Sequence, residues 1–77
     1  MIVKAYNVRV INEYGFIEKT YKSIGETTLE RVVKDLIQNG YYCTFTKTDF
    51  AINIAPKEIG EESVLTVIET YHFRKVR

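Results

Sequence analysis

The sequence predicts an α+β domain in the order ββαβββ, with one helix packed on one face of a mainly antiparallel sheet of about five strands. Two observations predict it. Residues Thr27 to Gly40 place Leu29, Val32, Val33, Leu36 and Ile37 at i, i+3, i+4, i+7 and i+8, a single apolar stripe at the helical period. On either side of that segment apolar and polar residues alternate with period two, as in strands that bury one face. One helix with one apolar stripe covers one face of a sheet, so the other face is expected to meet water or a partner. The chain has 77 residues, enough for one domain spanning 1–77 and a small core.

The first strand is expected from about Ile2 to Ile11 and the second from about Phe16 to Ser23, joined by the four-residue loop Asn12-Glu13-Tyr14-Gly15 with glycine at the positive-φ position. That loop sets Val10 against Ile17, Val8 against Lys19 and Tyr6 against Tyr21, and it pairs Arg9 with Glu18 on the other face. The helix reads as opening on a capping box, Thr27 with Glu30, and closing on Gly40, with Tyr41 folding back on Leu36. A second hairpin is expected after it. Tyr41 to Thr46 and Phe50 to Ala55 alternate about the turn Thr46-Lys47-Thr48-Asp49, setting Phe45 against Phe50 and Cys43 against Ile52. Pro56 ends that strand because it has no amide to donate to a ladder. Lys57 to Ser63 read as a loop, and the last strand as about Val64 to Arg74. If strands one and three are neighbours the sheet is wholly antiparallel in the order 2-1-3-4-5; short connections favour hairpin neighbours but leave other orders open, including strand five beside strand one. In the first arrangement the long last strand is an edge, open to pairing with a second copy.

Composition narrows the chemistry. Net charge is +1 and apolar content 45%, ordinary for a globular domain and too balanced for global steering onto nucleic acid. No apolar run approaches the roughly 18 residues of a membrane span. Met1-Ile2-Val3-Lys4 carries no secretory pattern, so the expected location is cytoplasmic. With one cysteine, Cys43, and one histidine, His72, no disulfide and no zinc cluster is expected. Strand parity points Cys43 toward the helix and His72 away from it, which separates a nucleophile from its only candidate base. Glu69 alone among the acids shares the apolar parity of Leu65, Val67 and Tyr71, as a buried acid with a raised pKa or as a residue at the sheet margin. Gly25 and Gly40 lack phosphate-loop spacing. The expectation is a chain without catalytic residues, metal or cofactor.

What remains is surface. Tyr14 stands at a hairpin tip. Glu58, Glu61 and Glu62 form an acidic loop opposite in sign to the basic terminus. Size and a composition rich in Lys, Ile, Tyr and Glu resemble the small accessory proteins of phages and mobile elements in low-GC bacteria, many of which bind and block a host protein. On this reading the chain is a non-enzymatic protein-binding module of the inhibitor, anti-defence type. Tyr14, Glu58, Glu61 and Glu62 would then meet a basic protein partner. The alternative is a nucleic-acid binder using Tyr42, His72, Arg74, Lys75 and Arg77 on the open sheet face. A third reading is a self-assembling subunit, a homodimer through an edge strand.

Overall fold

The computed structural model of the chain describes residues 2–54 and 63–75. Four strands and one helix follow in the order β1 (Ile2–Ile11), β2 (Ile17–Ile24), α1 (Glu26–Gln38), β3 (Tyr41–Ile54) and β4 (Ser63–Lys75). The four strands make one sheet in the order β2-β1-β4-β3. The class is α+β, with one helix and a mixed four-stranded sheet in place of the five mainly antiparallel strands expected. β1 pairs antiparallel with β2, and β3 with β4, while the two central strands β1 and β4 run parallel from Ile2↔Leu65 to Ile11↔Arg74. β4 is therefore central and not the edge that the sequence suggested. The exposed edges are β2 and β3.

The expected second hairpin does not exist. Thr46-Lys47-Thr48-Asp49 is the middle of a continuous 14-residue strand, paired with Tyr71 to Ile68 of β4. These four residues include no glycine, asparagine or proline to favour a tight reversal. A turn there would also strip half of β4 of its partner. Phe45 and Phe50 thus lie along one strand, as do Cys43 and Ile52. The ends of β3 and β4 lead into residues 55–62, so the expected strand stop at Pro56 and the loop around Glu58, Glu61 and Glu62 lie outside the described residues.

The first hairpin departs in register. The Asn12 amide donates to the Phe16 carbonyl (2.9 Å) and the Gly15 amide to the Asn12 carbonyl (3.0 Å). The Asn12 side-chain oxygen accepts from the amides of Tyr14 (2.9 Å) and Phe16 (3.0 Å). The loop is thus the three residues Glu13-Tyr14-Gly15, with Gly15 at φ 89°. Two irregularities absorb the shift: Ile11 faces Ile17 while Val10 faces Lys19, and Val8 faces Tyr21 while Tyr6 faces Ile24. The first leaves Glu18 as the extra residue. At the second, Ser23 takes φ 53° and its amide donates to the Asn7 side-chain oxygen at 2.9 Å. The expected pairs Val10 with Ile17, Val8 with Lys19, Tyr6 with Tyr21 and Arg9 with Glu18 are replaced.

The helix starts earlier than expected. Gly25 is its N-cap without a side-chain hydrogen bond, and the Leu29 amide donates to the Gly25 carbonyl at 2.9 Å. Thr27 and Glu30 lie inside the helix and form no capping box, because Ile24 is still packed in β2 and only Gly25 is left as connection. The C-terminal end is as read: Gly40 takes φ 86° and its amide donates to the Ile37 carbonyl at 3.1 Å.

Val8, Val10, Leu36 and Phe73 form the buried core, ringed by Tyr21, Ile24, Leu29, Val32, Val33, Tyr41 and Tyr71. The core sits at one end of the sheet for a simple reason of length. A 13-residue helix is about 20 Å long. A 14-residue strand is about 46 Å, and the whole molecule extends 56 Å. The helix covers the last third of β1 and β4 and leaves the rest of the sheet bare. Its own stripe is used unequally, since Leu36 is buried whereas Ile37 is 60% exposed. Leu36→Ala is therefore expected to cost roughly 2–5 kcal/mol and Ile37→Ala about 0.5 kcal/mol or less. Urea denaturation of the two variants checks this, and equal losses would contradict the one-ended core.

Candidate functional site

Three surfaces carry unusual side chains. The first is the apolar end of the sheet. The register puts Ile2, Leu65 and Ile52 in one row and Lys4, Val67 and Phe50 in the next, on the face that the helix covers further along. Ile2, Phe50 and Ile52 are 71%, 67% and 68% exposed. Toward the helix, an open groove of about 620 Å³ lies between α1 and β3, lined by Leu29, Val33, Ile37, Tyr41, Cys43 and Phe73. Cys43 is exposed in this open groove. An apolar end and an apolar groove on one face exceed what a solvated sheet needs.

A polar band separates the two. Lys4 Nζ lies 3.3 Å from Glu69 Oε2, and the Tyr71 hydroxyl donates to Glu69 Oε1 at 2.6 Å. The Tyr71 hydrogen bond, with help from Lys4 and against partial burial, holds the Glu69 carboxyl below its ordinary value. The same hydrogen bond, then burial, pushes the Tyr71 hydroxyl up to about 12. Glu69 is thus an ionised partner of Lys4 and Tyr71, opposite to the raised-pKa acid that its parity allowed. Tyr6 stacks on Tyr71 at 6.3 Å and completes the band.

The second surface is the face away from the helix. Arg9 stands beside His72, Tyr42 beside Arg74, and Phe45 beside His72. The last pair arises from the irregularity between Cys43 and Phe45, which leaves Thr44 extra and turns Phe45 to the open side. Phe45 meets the His72 ring edge-on at 5.3 Å. Partial burial first, then the positive charges of Arg9 and Lys47, hold His72 below its ordinary value. Of the acids in the described strands only Asp49 lies on this face; Glu18 reaches the Tyr41 hydroxyl on the other side at 3.4 Å. The structure therefore brings together Tyr42, His72 and Arg74 with Arg9, which parity also placed on this face, and adds Phe45, which parity without the irregularity missed, and Lys47, which was expected in a turn. It separates Lys75, which lies over the Tyr41 ring at 5.5 Å on the helix side. Arg77 lies outside the described residues. Cys43 and His72 occupy opposite faces.

The third surface is the hairpin tip. Tyr14 is exposed there, and Arg74 Nη2 donates to the Glu13 carbonyl at 3.3 Å beneath it. Glu58, Glu61 and Glu62 lie outside the described residues. Among the described residues no helix is long and apolar enough to cross a membrane, and no group of three or more His, Cys, Asp or Glu is placed to hold a metal ion. Comparison with known protein families, with curated proteins and with solved structures returns no match for this chain.

The two shifted groups give stability a two-part pH dependence. His72 is harder to protonate in the fold than in the unfolded chain, so stability falls as pH drops through 6.5 and levels off below its folded value. Glu69 is easier to ionise in the fold, so its contribution is complete above 4.5 and is lost as pH falls through its folded value. His72→Gln is expected to flatten the upper limb and Glu69→Gln the lower one, read from urea midpoints between about pH 7.5 and 3.

Proposed function

We propose that this chain is a non-enzymatic protein-binding module, and that its apolar sheet end with the adjoining groove is the binding surface. The observation that carries the reading is that the sheet outruns its helix, leaving Ile2, Phe50 and Ile52 exposed on one face. Burying such a surface against a partner is favourable by roughly 25 cal/mol per Å², and aromatic anchors of this kind dominate protein interfaces. The inhibitor, anti-defence type is the form of the proposal that fits the composition, with a cytoplasmic location. The separation of Cys43 from His72 and the ionised state of Glu69 support a role without catalysis. Tyr14 with Glu58, Glu61 and Glu62 would add contacts to a basic partner.

The test is capture from host lysate by the immobilised chain. Phe50→Glu/Ile52→Glu is expected to release a partner that the native chain retains in high salt, with an unchanged urea midpoint. Undiminished capture by that variant overturns the surface, and loss with Glu58→Lys/Glu61→Lys/Glu62→Lys instead transfers the site to the acidic segment.

The second reading, single-stranded nucleic acid on the open face, is favoured by the gathering of Phe45, Tyr42 and His72 with Arg9, Lys47 and Arg74. Exposed aromatics take stacked bases and the cations take phosphates. Three cations predict that log K falls with log salt at a slope of about −2. Fluorescence anisotropy with single-stranded DNA and RNA checks the slope and its decrease in Arg9→Glu/Arg74→Glu. No binding at low salt excludes this reading.

A further inference from the structure

The two edges of the sheet are unlike. β2 is eight residues long, carries Glu18, Lys19 and Lys22, and is broken by two irregularities with Ser23 at positive φ. These are the devices by which a strand avoids pairing with another chain. β3 is fourteen residues long and has one irregularity, at Thr44. From Phe45 onward it is unbroken, without proline, and its only charges are Lys47 and Asp49. They sit two residues apart on the open face, 3.8 Å from one another.

We propose that β3 pairs antiparallel with β3 of a second copy about a two-fold axis through Thr48. The inference rests on the reading of this end of the molecule as a protein-binding surface and names its first occupant. In an antiparallel pair, directly opposed residues share a face. Two identical strands can therefore meet only with some residue on the axis, opposite its own copy. An axis at Lys47 or Asp49 sets like charges together. An axis at Thr48 sets Lys47 opposite Asp49 of the second copy, and Asp49 opposite its Lys47. The same axis sets Phe45 opposite Ala51 and Phe50 opposite Thr46, so each exposed aromatic meets a smaller side chain.

The arrangement also joins the two apolar features. Ile52 arrives opposite Thr44 of the second copy, beside Cys43 at the mouth of the groove between α1 and β3. Each copy thus lays its apolar end along the groove of the other, and the interface is self-complementary as two-fold symmetry requires. The product is one eight-stranded sheet in the order β2-β1-β4-β3-β3-β4-β1-β2. The axis is perpendicular to the sheet, so both helices lie on one face and both cationic faces on the other.

Sedimentation equilibrium across a dilution series reads the dimer. Lys47→Glu, which leaves Ile2, Ile52 and Leu65 in place, is expected to raise the dissociation constant on the order of tenfold by facing two like-charge pairs. Lys47→Glu/Asp49→Lys restores it. In a Cys43→Ser background, mild oxidation is expected to link Thr48→Cys to its own copy. Thr46→Cys and Phe50→Cys should link to each other when mixed, and neither to itself. A monomer at every concentration, a charge swap that does not restore association, or cross-linking at other positions each overturns the proposal. If the chain is monomeric and Phe50→Glu/Ile52→Glu still abolishes capture of a host protein, the pairing fails while the protein-binding reading stands. If it dimerises as described and captures nothing, the pairing stands and that reading fails.

Discussion

The parallel pairing of β1 with β4 is the contact on which the rest of the structure depends. It joins residues about sixty positions apart in the chain, from Ile2↔Leu65 to Ile11↔Arg74. On one face it sets Val8 beside Tyr71 and Val10 beside Phe73, and Val8, Val10 and Phe73 make the core with Leu36. On the other face it sets Arg9 beside His72. A slip of one residue would send Val8 and Val10 to opposite partners and dissolve both surfaces at once. The hairpin, the helix and β3 are attached to this pair. β2 flanks β1 and β3 flanks β4, and the helix bridges from one edge to the other over the buried end.

The second constraint is length. β3 and β4 are more than twice as long as the helix, so only one end of the sheet gains a dry core. The polar band of Lys4, Glu69, Tyr71 and Tyr6 marks where cover ends. The buried core lies on one side of that band, and the exposed row of Ile2, Phe50 and Ile52 on the other. Substitutions at the bare end are therefore tolerated by the fold. A chain this small buries only about 60% of its unfolded surface. Placing apolar residues outside the core is costly for such a chain unless another molecule completes the burial.

The helix was legible because it is a local object. Its stripe and its glycine stop appear in sequence as they do in space. Its start was misread because Thr27 and Glu30 satisfy a local rule, while the packing of Ile24 decides where the helix begins. β3 was misread as a hairpin for a related reason: polar residues in the middle of an edge strand look the same in sequence as those of a turn. Only β4, equally long, distinguishes them. The face assignments of Tyr42, His72 and Arg74 followed parity correctly, and those of Phe45 and Glu18 failed because one extra residue reverses every side chain after it.

Alone, the sequence determined the class of the domain, the helix and its apolar stripe, and the approximate spans of β1, β2 and β4. These follow from periodicity over a few residues. Only the tertiary structure decided the strand order, the parallel centre, the register and the bare end of the sheet. Those depend on pairings between distant segments, whose hydrogen bonds are made by backbone groups that every residue shares. They also depend on the relative lengths of elements, which no single segment records. The clean helix is thus a property of its own residues, and the surfaces left for function are a property of what that helix fails to cover.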